Sequence, residues 1–489
     1  MCFQGYSSHR TRTLCLSPLL PLEKAFYLAN IIVFHLLLFF LVHVVSKEYE
    51  EVLGSNNFLE EGFPFLGIKK DVSDFEWTFW SHWASHGLLW LLLGHVILSW
   101  LTLHLMAQLR LCCWLVYGMW GIAWLLGFRG LLVMILYALA SYVVSWWRSA
   151  SACWLCNTPS RCGSWTHLAR TAGHASMTRL VSPMLAAAQS STLFWFLLFI
   201  FYLPPLPNGP IVCFSDFVAQ VKMPNQRRDQ DGLAWAVRRM SRLVCWWLLA
   251  ETMLHVLHSS AFLHHTQLLQ SLSPAVLGGI ALAQVSFFYV KYLVLFGLPS
   301  LVMCLDGLKP PPLPRCVTLT YSFTAIWRTF DTGLHQWLVR YIYLPLGGSQ
   351  TGTLRLLLAS AATFAFVAAW HGGQKDLLLW AGVNWLGVLM EYGVRSLCSK
   401  PCVKSWLSAA LHPLSLRRAT GLLTAVATII TIWSNLIFFA GTHVGEIYFK
   451  MFLAGGPWVL GGMLAFLYCC AQLGMEWENL AAQNHKGSV

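Results

Sequence analysis

The chain has 489 residues, 57% of them hydrophobic and only 11% charged, with a net charge of +12. Soluble domains carry about a quarter charged residues, so this composition excludes a soluble enzyme and a disordered chain. The Lys and Arg residues are scattered between hydrophobic runs without forming a basic stripe, which excludes a nucleic-acid module and follows the positive-inside rule of membrane proteins.

The unit of such a chain is an apolar helix of about 20 residues. Residues 1–24 read as a cytosolic N-terminal extension. Cys2 stands where myristoylation needs glycine, and the C-terminal Lys-Gly-Ser-Val is no retrieval signal. The run at 25–46 is too long for a signal-peptide core and no small-x-small cleavage pattern follows it, so it predicts an uncleaved span. Arg10, Arg12 and Lys24 precede it, and the loop at 47–76 carries eight acids against three lysines. That asymmetry predicts a cytosolic N-terminus and a luminal loop.

Further apolar runs follow at 87–107, 111–126, 129–147, 191–207, 243–257, 276–303, 354–370, 377–398, 421–440 and 452–475. Several are short for a hydrocarbon core of about 30 Å, which predicts re-entrant or tilted segments among them. The expectation is an all-α polytopic membrane protein, with nine to twelve transmembrane or re-entrant helices around a central tunnel. Residues 25–489 read as a single domain. Residues 153–190 differ from their surroundings: they hold Arg161, Arg170, Arg179, His167 and His174 among Ser, Thr and Gly, with no acid. They read as a cytosolic loop, of a composition that an alternative exon would also give. Trp77, Trp80 and Trp83, the pair Trp146/Trp147 and the pair Trp246/Trp247 sit near run ends, as interfacial belts do.

The 15 cysteines form no disulfide framework. Cys112, Cys245, Cys304 and Cys469 lie in apolar runs, where a thiol packs as a small hydrophobe. Cys153 and Cys156, with Cys162 beyond, have neither a second pair nor an HxxxH partner and make no zinc motif. His35, His95, His255, His264, His265 and His443 have no neighbouring constellation and read as structural.

Polar residues in apolar runs are concentrated between 306 and 373. Asp331 and His335 are four apart, on one helical face, with Arg328 a turn earlier. Leu356–Trp370 then runs for fifteen residues without a charge and ends in His371-Gly372-Gly373. Each residue has a bland reading as well. His371 could be a satisfied interfacial histidine, and Asp331 an N-cap or the ion-pair partner of Arg328. A buried histidine with a carboxylate 40 residues upstream suits proton transfer, in an enzyme or in a proton-coupled transporter. Against the transporter, the chain shows no paired inverted halves.

The blocks WRTFDTGLHQWLVRYIYLPLGG (327–348), FAFVAAWHGG (364–373) and NGPIVCFSDF (208–217) resemble the membrane-bound O-acyltransferase superfamily. Within it, KKDVSDFEWTFW (69–80), LGGIALAQVSFFYVKYLVLFGLPSLVMCLDGL (277–308) and IWSNLIFFAG (432–441) resemble the hedgehog acyltransferase branch. The likeness covers 24–147 and 191–475. Residues 1–23 extend beyond the branch's usual start, and 153–190 lack its helical, aromatic-rich segment. The resemblance implies transfer of palmitate from palmitoyl-CoA to the N-terminal cysteine amine of secreted hedgehog proteins, forming an amide. It further implies a multi-pass location in the endoplasmic-reticulum membrane. By the same resemblance His371 and Asp331 are catalytic, Trp327 and Arg328 line the donor path, and Asn435 lies near the acyl-CoA. Cys316 would ligate the iron of a haem b. A catalytically silent relative of the branch, or an enzyme acylating a secreted peptide hydroxyl, are the alternatives. His371 and Asp331 speak against the first, and the 69–80 and 277–308 blocks against the second.

Overall fold

The computed structural model describes residues 17–63, 67–157, 193–223, 232–349 and 352–487. Most of the N-terminal extension and residues 158–190 of the atypical loop lie outside the described residues, as does Cys162.

The first helix, α1 (Pro21–Glu48), starts on a proline that is pre-set for a helix N-terminus. A short helix, α2 (Glu50–Ser55), leads into a hairpin of β1 (Leu59–Glu61) and β2 (Lys69–Asp71). Sequence pattern predicted only a loop here. The hairpin sets Glu60 opposite Lys70 and Glu61 opposite Lys69, and such cross-strand pairs contribute about 0.2–1 kcal/mol each. Buried Asp71 anchors it by accepting a hydrogen bond from the Ala261 amide at 2.9 Å.

Next come α3 (Phe75–Trp83), α4 (Leu89–Leu105), α5 (Arg110–Asn157), α6 (Leu193–Ile200), α7 (Phe214–Lys222) and α8 (Leu233–Val256). The predicted gap between 126 and 129 is present as a break in α5, where Gly127 takes φ 73°. Two short helices, α9 (Ser259–His264) and α10 (Thr266–Ser271), precede the long α11 (Pro274–Leu305). The chain then forms α12 (Phe323–Thr329), α13 (Thr332–Leu338), α14 (Thr353–Trp370), α15 (Lys375–Ser399), α16 (Pro401–Ala410), α17 (Pro413–Ala454) and α18 (Gly456–Gly487). At 42 residues α17 would be about 63 Å long if straight; it breaks at Ala440–Gly441.

Among the described residues, eight helical segments are long and apolar enough to cross a membrane. Two predicted runs do not form such spans. The run at 191–207 gives only the eight residues of α6 followed by turns. The run at 243–257 is the C-terminal part of α8, whose other half carries Arg238, Arg239 and Arg242. The protein is a polytopic membrane protein built almost wholly of helices.

Burial orders these helices. In its most apolar window α11 is 67% buried, whereas α1 is 11% buried and exposes Phe26, Leu36 and Phe40. So much exposed apolar surface suits hydrocarbon and not water. α11 forms the axis, packed by α1, α8 and α17, and α18 closes against α1 and α17. The Trp cluster at 77–83 is not a simple belt. Trp77 is fully buried and donates its indole N–H to Glu251 at 3.0 Å, an acid that also pairs with Lys70 at 2.8 Å.

A second buried polar knot ties α4, α5 and α11 together. Asp306, just past α11, accepts from His95 at 2.9 Å, from Ser99 and from Tyr202. Arg110 donates to Ser99 at 3.0 Å and to the Asp306 carbonyl at 3.1 Å. Polar groups this deep need partners, and folding gives His95 the constellation that its sequence neighbours lack.

Candidate active site

Asp331 and His371 reach one cavity by different local devices. At the start of α12 the Ser322 hydroxyl accepts from the Ala325 amide, while Glu391 of α15 accepts from the Phe323 amide at 2.6 Å and the Thr324 amide at 3.1 Å. A carboxylate there also complements the helix dipole. After a turn at Phe330, Asp331 caps α13 and its Oδ1 accepts from the Leu334 amide at 2.8 Å. The cap fixes the carboxyl. Gly333, two residues on, admits the Ile211 backbone so closely that a Cβ would sit 2.2 Å from its carbonyl oxygen. Arg340 reinforces this junction, donating to Ser215 at 2.7 Å and Asp216 at 2.9 Å. The 208–217 and 327–348 blocks, distant in sequence, are thereby locked together.

His371 is the residue on which α14 ends. The helix stops because Gly372 and Gly373 take φ 121° and 68°, and their amides return to Ala369 and Ala368. Such a left-handed ending requires residues without a Cβ penalty. The imidazole projects among aromatic rings, with its centroid 5.6 Å from Trp380 and 5.1 Å from Phe438, both edge to face.

Asp331, His335 and His371 all line a cavity of about 1140 Å³. Small-molecule sites usually run to roughly 300–1,000 Å³, so this one would hold a long-chain ligand. Its wall is mostly apolar and draws on α1, α11, α13, α17 and α18. Trp327 and Asn435 line it too, joined through residues that include Asn384 and Trp380, which lie outside every recognised sequence block. The Trp327 indole donates to Asn384 at 3.1 Å, Asn384 donates to Ser434 at 3.1 Å, and the Trp380 indole donates to Asn435 at 3.2 Å. The available signal was an asparagine inside an apolar run, which is costly at membrane depth and usually functional.

Arg328 is exposed and is not part of the cavity wall, and it forms no ion pair with Asp331 among the described residues. The N-cap reading of Asp331 therefore holds together with its place in the cavity, and the ion-pair reading does not.

Burial pushes the Asp331 carboxyl above the ordinary carboxylate range, against the pull of the Leu334 and Gly333 amides. Burial pushes His371, one residue beyond the α14 span, below the usual imidazole value, with the Glu76 carboxylate opposing that shift. His335 is pushed down to about 4 by burial and by Arg328. Both imidazoles are then neutral near pH 7, able to accept a proton on one nitrogen and donate from the other.

Cys316 is half-buried before the single turn Val317–Leu319. Val317 and Thr318, next to it, line the cavity, although Cys316 itself does not. Among the described residues no three His, Cys, Asp or Glu side chains gather as a metal-binding group. Cys316 thus offers one sulfur next to residues of the cavity wall.

The profile of the membrane-bound O-acyltransferase family matches residues 90–414. The chain is 41% identical over 477 residues to the mouse protein-cysteine N-palmitoyltransferase HHAT, covering 91% of this chain and 95% of that protein. It is 28% identical to the mouse HHAT-like protein, over 86% and 88% of the two chains. It is also 27% identical to the Drosophila melanogaster protein-cysteine N-palmitoyltransferase Rasp, over 55% and 52%. The chain belongs to the membrane-bound O-acyltransferase family.

Proposed function

We propose that the protein transfers palmitate from palmitoyl-CoA to the N-terminal cysteine amine of secreted hedgehog proteins, forming an amide. It works in the endoplasmic-reticulum membrane, with its N-terminus cytosolic and the 47–76 loop luminal. The observation that carries this reading is that Asp331 and His371 both line one large, mostly apolar cavity. The 41% identity to a protein-cysteine N-palmitoyltransferase supports the donor and the bond.

The chemistry follows from the substrates. An α-amine has a pKa of about 7.7–8.0, so near neutrality much of it is protonated and poorly nucleophilic. A thioester is already activated, which leaves three tasks: positioning, removal of a proton and stabilisation of the oxyanion. The amine nitrogen bonds to the acyl carbon, the C–S bond breaks, and the amine's proton balances the departing CoA thiolate. Asp331 and His371 divide the proton transfer and the steadying of charge between them. Trp327 and Asn435, held by the Asn384–Ser434–Trp380 network, shape the donor passage. Arg328 serves the donor from outside the cavity wall, where its cation would face acyl-CoA phosphates. The depth of the apolar wall measures the acyl chain, because each methylene adds about 0.8 kcal/mol only while it fits.

Haem b belongs to this reading through Cys316 alone. The thiol would hold the group through its sulfur, and the bound group would supply structural cross-linking there. No step of acyl transfer passes through it.

The test is labelling of a peptide with an N-terminal cysteine by palmitoyl-CoA, with and without a blocked α-amine. Labelling should require the free amine and should resist hydroxylamine. Labelling that survives blocking would mean thiol or hydroxyl transfer, and no labelling at all would favour a silent binding relative.

A further inference from the structure

Besides the two candidate catalytic residues, the cavity wall carries a charged group that proton transfer does not use. Glu76, in the first turn of α3, lines the cavity beside Asn208 and Tyr292. Lys291 of α11 stands behind it, buried, 2.9 Å from Glu76 and 2.9 Å from Asp74. The Tyr292 hydroxyl donates to Glu76 at 2.9 Å.

The two acids differ in what they can still do. Asp74 accepts from Lys291 through both oxygens and caps α3 at the Trp77 amide, and its side chain is 11% exposed. Its capacity is spent inside the protein. Glu76 keeps 36% exposure, and that exposure faces the cavity. One ammonium among two carboxylates leaves one uncompensated negative charge, presented through Glu76. A carboxylate accepts at about four lone-pair sites, so its three donors, Lys291 at 2.9 Å, Tyr292 at 2.9 Å and Asn208 at 3.5 Å, leave room for one more. Backed by low-dielectric wall, such a charge selects strongly for a cation.

Nothing in the donor's acyl chain answers that charge, and its phosphates are repelled by it. The acceptor does answer it. Resting on the acyl-transfer reading above, we propose that Glu76 binds a positively charged group at the acceptor's N-terminal end, either the α-ammonium or a nearby basic side chain. Glu76 acts there as an acceptor-binding residue and leaves the proton transfer to Asp331 and His371. Lys291 and Tyr292 hold its carboxylate in place. Glu76 lines the same cavity as His371 and Asp331, so a cation bound there shares the space in which the transfer takes place.

The experiment uses the full chain in detergent with Glu76→Gln and Glu76→Asp, which keep an acceptor oxygen for Tyr292. Two acceptor peptides begin with cysteine, one with a single arginine nearby and one with no basic side chain. For Glu76→Gln the acceptor KM should rise about tenfold, the loss of one charge-assisted contact, while the KM for palmitoyl-CoA stays close to the parent's. Glu76→Asp should recover part of the loss. A rise with both peptides assigns the α-ammonium, and a rise with the arginine peptide alone assigns the side chain. An acceptor KM that does not move with either peptide overturns the proposal.

Should Glu76→Gln fail to fold, the unaltered protein still decides. Displacement of a labelled peptide is measured with non-acylatable peptides starting in alanine, one cationic and one N-acetylated without basic side chains. Weaker binding of the neutral peptide by about tenfold supports the cation site, and equal binding overturns it. This readout needs no acyl transfer, so its failure and failure of the acyl-transfer reading remain distinguishable.

Discussion

Replacing Asp331 by asparagine is expected to slow acyl transfer by about 10²–10⁴-fold, the usual contribution of a general acid–base group, with no matching loss of stability. The capping geometry makes this substitution cleaner than alanine. Asp331 Oδ1 accepts from the Leu334 amide, and asparagine caps helices about as well as aspartate. Alanine would also remove the cap, at about 1 kcal/mol, and so mix a structural effect with a chemical one. Melting temperature and single-turnover rate measured on the same preparation separate the two.

The pH dependence has a definite sign. Burial raises the Asp331 carboxyl, and a carboxyl accepts a proton only when ionised. Activity should therefore fall on acidification at a pH above the ordinary carboxylate value of about 3.9. Asp331→Asn should erase that limb. A parent rate at the asparagine variant would remove Asp331 from the mechanism.

His371→Ala is the second substitution expected to cost about 10²–10⁴-fold. The α14 ending is made by main-chain bonds from residues 371–373 to Val367, Ala369 and Ala368, and alanine keeps all of them. The imidazole's neighbours are Trp370, Trp380 and Phe438, and no side chain depends on it for a hydrogen bond among those described. The helix should therefore stop where it does now, with only the cavity wall altered. Unimpaired transfer would show that His371 is the interfacial histidine its sequence position also permits. If each single variant is nearly inactive and the double variant little worse, the two residues act as a unit, because members of one catalytic group are not additive.

Much of this arrangement is legible in the sequence. The spacing of Asp331 and His335 put both on one helical face, and both do line the cavity. An uncharged run ending in His-Gly-Gly marked His371, and the two glycines have a clear physical reason in the left-handed ending of α14. The gap at 127 marked a real break.

What escaped detection depends on partners brought together by folding. The Glu-Glu and Lys-Lys pairs of the 59–71 hairpin look like solvated loop charges until they face each other. Trp77 had the composition of an interfacial belt, but its indole satisfies buried Glu251. Asn384 and Trp380 become parts of the site only because α15 packs between α12 and α17. Arg328, adjacent to Trp327 in sequence, is exposed and outside the cavity wall because successive helical residues lie about 100° apart.

The most direct measurement is an experimental structure with a non-hydrolysable palmitoyl-CoA analogue bound. The account predicts the acyl chain inside the apolar cavity, with the sulfur beside both Asp331 and His371 and a free approach from the side of Glu76. It would be contradicted by an acyl chain lying elsewhere, or by an imidazole at 371 turned to lipid with no passage joining it to residue 331.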